Sequence, residues 1–306
     1  MRRKATLMLA LFVTAACLTN DASAGPWTLK KNRLWAETFG RISISRYCFD
    51  PDGNRSRWNN GGYSRVFDLE QKFEYGATDN FNLLLGIPYS RSIWKDDYVI
   101  HGNSSELTNE NFKQPNFGFK YRFLDKPFVA AVQMKAFIFP NADRNKEPTL
   151  DEWGNALETR ILMGKAFSVH KRPAYVACEL GYKIRSKRWV ADSDWANTFP
   201  VFFETGFSPH DRIMLKTEID CMISQPGTGR IKDAYTWRIG PIISLLGHGF
   251  SSIKKGGESS LNLELQYGIQ FAGRGDPNIH RDPTWPNNED RISAPQEFIA
   301  KIQMLF

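Results

Sequence analysis

Apolar and polar side chains alternate with a period of two along most of this chain. Between Tyr63 and Tyr75, aromatic and aliphatic residues recur at alternate positions, and Asp68, Glu70 and Lys72 lie between them. Because successive side chains of a strand point to opposite faces of a sheet, this pattern predicts β-strands. The alternation defines about twelve strands, of which the first is the weakest. They cover residues 34–45, 63–75, 81–89, 114–123, 128–139, 157–163, 174–184, 199–207, 213–223, 235–243, 261–271 and 298–306.

The connections between these segments alternate in length. Short ones fall near residues 76–80, 124–127, 168–172 and 208–212, with a somewhat longer one at 246–259. Long ones fall near residues 46–62, 94–113, 140–155, 185–196, 224–233 and 273–293. Short periplasmic turns opposite long extracellular loops are typical of outer-membrane barrels, whose strands need ~9–11 residues to cross the bilayer. The sequence therefore predicts an all-β fold: an antiparallel, up-and-down transmembrane β-barrel of about twelve strands.

A soluble β-sandwich is the main alternative, because one buried face and one wet face give the same alternation. Two features favour the barrel. The strands are longer than the ~5–6 residues usual in soluble sheets, and aromatic residues mark the strand ends, as they do in the girdles of membrane barrels. These aromatic residues are Tyr75, Tyr89, Phe207, Trp237 and Phe306. We therefore expect the apolar face of each strand to contact lipid and the charged face to line a lumen.

The first residues have the features of an export signal. A basic start at residues 2–4 precedes an apolar run over 7–18 that is too short to span a bilayer, and Ala22-Ser23-Ala24 supplies a cleavage pattern of small residues. Lipidation at Cys17 is the alternative, although Thr14 stands where a leucine is usual. We predict a signal peptide over residues 1–24, a barrel domain over residues 25–306 and a location in the Gram-negative outer membrane.

The last strand ends on Phe306, with Met304 and Ile302 at the alternate positions before it. This ending resembles the C-terminal assembly signal of outer-membrane proteins. The resemblance implies that the barrel-assembly machinery recognises this strand.

Composition excludes several other classes of protein. The 306 residues include 13% aromatics, which argues against intrinsic disorder, and only 4 cysteines, which argues against a disulfide scaffold. The mean hydropathy of −0.43 argues against a bundle of membrane helices. The formal net charge is +7, but no basic cluster accompanies it, so nucleic acid is not an expected partner.

The charged face of the strands is the candidate functional surface. Its pore-lining candidates are Glu70, Lys72, Lys120, Arg122, Lys135, Glu158, Arg160, Glu179, Lys183, Glu204, Lys216, Glu218, Asp220, Arg238 and Glu264. Further charged residues on the same face are Glu37, Arg41, Asp68, Glu74 and Lys301, and the inward aromatics are Trp35, Phe39, Tyr175 and Phe202. Acidic and basic residues are nearly balanced, and charges cannot stay in a dry interior unless they are paired. We therefore expect either a water-filled pore of weak ion selectivity or a lumen partly closed by ion pairs.

No arrangement of residues predicts catalysis. The five histidines all fall in predicted loops or turns, and none is paired with a serine that could act as a nucleophile. No metal-ligand spacing is present in the sequence either. We therefore predict neither an enzyme nor a bound cofactor or metal.

Several segments resemble one family of bacterial outer-membrane proteins. They are the opening residues 25–29 (GPWTL), the strand–turn–strand stretch 73–81 (FEYGATDNF) with its continuation to Tyr89, and residues 116–123 (NFGFKYRF). These segments are similar to transporters of the phenol-degradation MetA-pathway type and to the related XagA-like proteins. The resemblance implies a single barrel with a transport role and small hydrophobic or aromatic compounds as permeants. It carries over no site residue.

Three classes of function are therefore open. The leading hypothesis is an energy-independent outer-membrane channel for a small-molecule permeant, with outer-membrane lipids, lipopolysaccharide and the barrel-assembly machinery as partners. One alternative is a non-conducting structural or adhesive barrel that acts through its extracellular loops. The less favoured alternative is an enzyme that modifies lipid or glycan.

Overall fold

The computed structural model describes residues 25–58, 62–95, 106–138, 155–186, 196–228, 232–247, 250, 260–275 and 292–306. The predicted signal peptide, residues 1–24, lies outside the described residues, as does most of the last long loop. Within the described part of the chain, no helix has the length and apolar character needed to cross a membrane.

Sixteen strands make up the described structure. They are β1 Leu34–Ser45, β2 Tyr47–Phe49, β3 Arg55–Arg57, β4 Tyr63–Thr78, β5 Phe81–Lys95, β6 Glu106–Phe112, β7 Asn116–Leu124, β8 Val129–Phe137, β9 Ala156–Val169, β10 Arg172–Arg185, β11 Thr198–His210, β12 Ile213–Ser224, β13 Asp233–Leu246, β14 Ser260–Arg274, β15 Ile292–Ser293 and β16 Gln296–Leu305.

Twelve of these strands close into one antiparallel barrel. The strand order is β4-β1-β16-β14-β13-β12-β11-β10-β9-β8-β7-β5, and the pairing of β4 with β5 completes the ring. The first and last strands are joined by β1–β16 pairing, which continues in reciprocal backbone hydrogen bonds between Leu34 and Phe306 of 3.1 and 2.7 Å. Closure leaves no unpaired edge in the ring, as a sheet surrounded by lipid requires. The predicted fold class is confirmed, and the sandwich alternative is wrong.

Four short strands were not expected from the alternation. β6 extends the sheet beside β5, and β15, β2 and β3 form a separate three-stranded sheet. The sequence of β6 (ELTNENF) is mostly polar, and β2, β3 and β15 contain only two or three residues each. A period of two has no statistical weight over so few residues, so these elements could be found only from the folded chain.

The two ends of the barrel differ. The connections at 79–80, 125–128, 170–171 and 211–212 are short and lie together at one end, which we call the turn end. Most of the longer connections, including those that contain β2, β3, β6 and β15, lie at the opposite end, which we call the loop end, whereas the β13–β14 connection lies at the turn end. Residues Leu34 and Leu305 lie at the turn end.

The two faces of the barrel wall have opposite chemistry. Large apolar side chains are exposed on the outside on every barrel strand except β8, for example Leu83 on β5, Leu215 on β12 and Phe298 on β16. The alternate positions point inward and bury polar groups such as Asn82 and Glu264. An apolar surface of this extent is unfavourable in water and favourable against hydrocarbon. The outer wall therefore has the chemistry of a membrane-embedded surface.

We expect Leu265→Arg to destabilise the folded barrel. Leu265 is exposed on the outside of β14, and its register with Ala300, which in turn pairs with Gly40, puts it near mid-height. An arginine facing the bilayer midplane costs about 2–4 kcal/mol, whereas near the interface the cost falls to about 0–1 kcal/mol. The matched control is Leu246→Arg, because Leu246 is exposed at the turn end of β13.

Urea unfolding of both variants in lipid vesicles, followed on gels of unboiled samples, measures this difference. Equal stability of the two variants would show that Leu265 does not face hydrocarbon.

Candidate channel lumen

The predicted lumen residues lie on the inner face. Most belong to three groups of ion pairs, and four of them, Lys120, Arg122, Lys135 and Lys183, lie outside these groups. The first group surrounds Lys216, the second joins Arg238 to its neighbours, and the third lies on β9 and β10 around Arg160. Lys120 stands apart and pairs with Glu74 at 2.9 Å. Arg122 lies at the turn end instead, where it binds Asp125 and the Asn80 side chain and so ties two turns together.

The first group is a buried cluster in which one ammonium serves three carboxylates. Lys216 Nζ lies 2.9 Å from Glu204, 2.5 Å from Glu218 and 3.0 Å from Glu264. All four side chains are almost completely buried. Lys301 adds a second ammonium, 2.8 Å from Glu264. Burial removes the screening by water, so these charges depend on one another for stabilisation.

This cluster continues along the wall to β1 and β4. The Gln303 side-chain amide donates hydrogen bonds of 3.0 Å to both Glu264 and Glu37. Lys72 then binds Glu37 at 3.0 Å and approaches Glu70 at 3.6 Å. At the other end of the network, the Tyr175 hydroxyl donates to Glu204 at 2.6 Å. A continuous polar network therefore runs from β10 around to β4.

The second group lies nearer the loop end, and one of its side chains crosses over a glycine. Arg238 binds Glu297 at 3.0 Å and Asp220 at 3.2 Å, and Arg41 binds Glu297 at 3.1 Å and Asp68 at 2.6 Å. Gly268 lies between Arg238 and Glu297 in the register, and a Cβ there would lie 2.9 Å from the arginine Cγ. The missing side chain at this position lets the guanidinium reach across one strand.

The third group contains Arg160, Glu158 and Glu179. Arg160 binds Glu158 at 2.7 Å on its own strand and Glu179 at 2.9 Å on β10. Its side chain lies over Gly181, where a Cβ would come within 2.7 Å of the arginine Cγ. Most pairs in the three groups join strands that are neighbours or next-but-one in the ring. The charges are therefore neutralised largely along the wall rather than across the lumen.

Residues 25–33 cross the lumen at the turn end. On one side, Leu29 packs against the inward side chains of Trp35 and Leu305. On the other, the Trp27 ring meets Tyr175 edge-on, with a centroid separation of 5.8 Å. Lys120 donates hydrogen bonds to the carbonyls of residues 25 and 27, at 3.2 and 3.1 Å. The segment is thus held from both walls.

Two further contacts complete an apolar layer at this end. A Cβ at Gly164, on the inner face of β9, would lie 2.7 Å from the Pro26 ring, so only glycine admits the segment there. Phe250, from the β13–β14 connection, packs against the inward side chains of Met214 and Ile242. Proline, tryptophan, leucine and phenylalanine side chains therefore gather at the turn end of a lumen that is otherwise charged.

The sequence analysis missed this apolar layer. Residues 25–29 open the barrel domain and contribute to the family resemblance, but nothing in their sequence predicts a place in the lumen, and Phe250 falls within a predicted connection. The available signal was the presence of large apolar residues outside the alternation, since Trp27, Leu29 and Phe250 have no place on a strand face. The inward aromatic Trp35 fills space in this layer, whereas Phe39 lies under the Lys72 ammonium, 5.0 Å from its ring centroid.

The chain was compared with known families, curated proteins and solved structures. No known family and no curated protein matches its sequence. Among solved structures, an outer membrane channel from Pseudomonas putida F1 is similar over 94% of this chain and 99% of its own, with 11% identity and a TM-score of 0.63.

Two other solved barrels are similar at lower TM-scores. The β domain of the Bordetella autotransporter BrkA has 14% identity and a TM-score of 0.45, over 89% of this chain and 99% of its own. A Pseudomonas aeruginosa FadL homologue has 9% identity and a TM-score of 0.42, over 90% of each chain. The P. putida channel shares the fold of this protein, which is that of Gram-negative outer-membrane barrels, and the predicted localisation agrees with that fold.

We expect Lys216→Met to destabilise the barrel by about 3–5 kcal/mol, the cost of leaving buried charges without their partner. The change leaves Glu204, Glu218 and Glu264 close together without the ammonium that they share. Adding Glu264→Gln should recover part of the loss, because one carboxylate is then neutral. Urea unfolding in vesicles measures both effects. Full stability of the single variant would contradict the buried cluster.

We expect the double change Trp27→Ser and Leu29→Ser to raise the single-channel conductance roughly twofold or more, because conduction depends on the narrowest part of a pore. These side chains attach residues 25–33 to the Tyr175 side and the Leu305 side of the lumen. The control keeps the apolar contacts with Trp27→Phe and Leu29→Met. Equal conductance of the two double variants would show that the segment does not restrict the path.

Proposed function

We propose that this protein is a passive outer-membrane channel for small solutes. The observation that carries the proposal is the solvent contact of charged groups in the middle of the lumen. Arg41, Lys72 and Arg160 point inward and are each only partly buried, although every one of them is ion-paired. A barrel packed solid would bury these side chains completely, so water reaches the lumen beside them.

The comparison with solved structures supports the same function at a coarse level. The P. putida protein that shares the fold is described as an outer membrane channel. The resemblance to transporters of the phenol-degradation type points in the same direction. We propose small aromatic or hydrophobic compounds as permeants, which agrees with the inward position of Phe39 and Phe202 among the charged residues.

In this proposal a solute enters at the loop end and meets the charged lumen before the apolar layer. Residues 25–33 and Phe250 stand between the lumen and the turn end. Passage therefore requires residues 25–33 to shift. The segment is held by Lys120 and by contacts of Trp27 and Leu29, without belonging to a strand, so it can move without opening the barrel wall.

The outer surface would serve membrane insertion in this proposal. The exposed apolar side chains would contact outer-membrane lipids and the acyl chains of lipopolysaccharide. The barrel-assembly machinery would recognise the last strand through Phe306, Met304 and Ile302. Of these, Ile302 is clearly exposed on the outer face, where another protein could reach it.

Conductance across a planar lipid bilayer tests the proposed function. Purified, folded protein should give discrete current steps. To assign the current to this protein, Lys135→Cys is made in a background without native cysteines and treated with a bulky thiol reagent, which should reduce the steps. The control is Lys165→Cys, because Lys165 is exposed on the opposite face of the wall from Arg160.

Bilayers that contain folded protein and show no current steps would contradict the channel function and favour a structural or adhesive barrel. Current that the reagent leaves unchanged at Lys135→Cys would show that it does not pass through this lumen.

A further inference from the structure

In several ion pairs of the inner wall the cation has more solvent contact than the carboxylate, although acidic and basic residues are nearly equal in number. The Lys72 side chain is 34% exposed, whereas its partner Glu37 is 6% exposed. Arg160 is 23% exposed against 7% for Glu158, and the Arg41 side chain also has more solvent contact than Asp68 and Glu297.

Side-chain length explains this asymmetry. Lysine and arginine carry their charge on long stems that can lie across a partner and still reach water, whereas a carboxylate on a short stem stays at the wall. The asymmetry does not extend to the fully buried pairs of Lys216 and Lys120, and it is reversed at the loop end of β12, where Asp220 is more exposed than Arg238. Counting residues by sign therefore misjudges what a solute in the lumen meets.

Three cations with solvent contact, Lys72, Lys135 and Arg160, lie where β4, β8 and β9 face the lumen, and Lys183 of β10 is buried beside them. On neighbouring strands, Lys135, Glu158 and Lys183 lie in register, so that one carboxylate has an ammonium on either side. Arg160 binds the same carboxylate from its own strand. The Lys135 ammonium also lies within electrostatic range of Arg160 and of Lys72, which repel it.

Lys135 lacks a close anionic partner of its own. No carboxylate of the described residues lies within 4.0 Å of its ammonium, and Glu158 and Glu70 act on it only at longer range. The side chain is half-buried, so it keeps contact with the lumen. An ammonium that neighbouring cations repel and no carboxylate contacts is stabilised when an anion binds beside it.

Two phenylalanine rings lie beside these cations. Lys72 Nζ is 5.0 Å from the centroid of Phe39, and Lys183 Nζ is 4.4 Å from the centroid of Phe137. Both rings point into the lumen and are half-buried. An anion in this part of the lumen would therefore have an apolar surface next to it, which suits a carboxylate attached to a flat carbon skeleton.

We infer that Lys72, Lys135 and Arg160, with Phe39 and Phe137, form a binding chamber for small organic anions, and that the channel prefers anions over cations. The inference rests on the proposed channel function and adds the class of solute. In this chamber the solute carboxylate replaces water beside Lys135, and its carbon skeleton contacts the rings. An amine of the same shape is repelled.

The reversal potential across a bilayer with unequal KCl on its two sides tests this inference. The unmodified protein should pass chloride in preference to potassium. Lys135→Gln should lower that preference roughly twofold, and Lys135→Glu should abolish it, because Lys135 lies on the lumen face. Neither change breaks a short ion pair, so both proteins should fold. The matched control is Lys165→Gln, on the outer face, which should leave the preference unchanged.

Binding is tested in the same bilayer with benzoate and benzylamine as probes. Benzoate should reduce the chloride current at concentrations where benzylamine does not, and Lys135→Gln should weaken this block. A channel that prefers potassium, that ignores all changes at Lys135, or that benzylamine blocks as well as benzoate would overturn the inference while leaving the channel function intact. Absence of any current would instead overturn the channel function, and the inference with it.

Discussion

The charges on the inner wall of this barrel must be neutralised within the protein or by water, and most of the interior follows from that constraint. A closed ring of strands turns every second residue inward, and here many of those residues carry a charge. An unpaired charge in a poorly hydrated interior is more costly than any single contact could offset. The closest pairing is that of Lys216, whose Nζ lies within 3.0 Å of an oxygen of each of three buried carboxylates.

Pairing along the wall has a geometric cost that glycine removes. Neighbouring strands stand ~5 Å apart, so a side chain that must reach the next strand but one has to lie across the strand between. Gly268 provides that space for Arg238, and Gly181 provides it for Arg160. Gly164 likewise leaves space for the Pro26 ring. Glycine therefore permits close contacts in both the charged network and the apolar layer. Inward glycines on these strands are therefore positions of close approach rather than weak points.

The sequence predicted the two faces of the wall well, because alternation is a local property. Leu265 and Glu264 follow one another in the chain and must point to opposite sides, whatever the rest of the fold does. The ion-pair partners of the charged residues could not be predicted in this way. Arg41 and Glu297 are far apart in the chain, and their contact depends on the register between the first and last strands, which no local pattern contains. The position of residues 25–33 was equally hidden, since a segment without strand periodicity gives no sign of entering the lumen.

Register also decides which charges would meet a solute under the proposed channel function. Balance between acids and bases predicts weak selectivity only if both signs face water equally. Here the register places Glu158 between Lys135 and Lys183, with Arg160 over it, so the carboxylate is covered while Lys135 and Arg160 keep contact with solvent. The apolar layer made by Trp27, Leu29 and Phe250 lies in series with this surface, toward the turn end. An ion that the cations attract still has to leave water to pass that layer, whereas a solute with both a charge and an apolar surface finds favourable contacts in each region. In the proposed channel, the order of the two regions would therefore favour amphipathic solutes over simple salts.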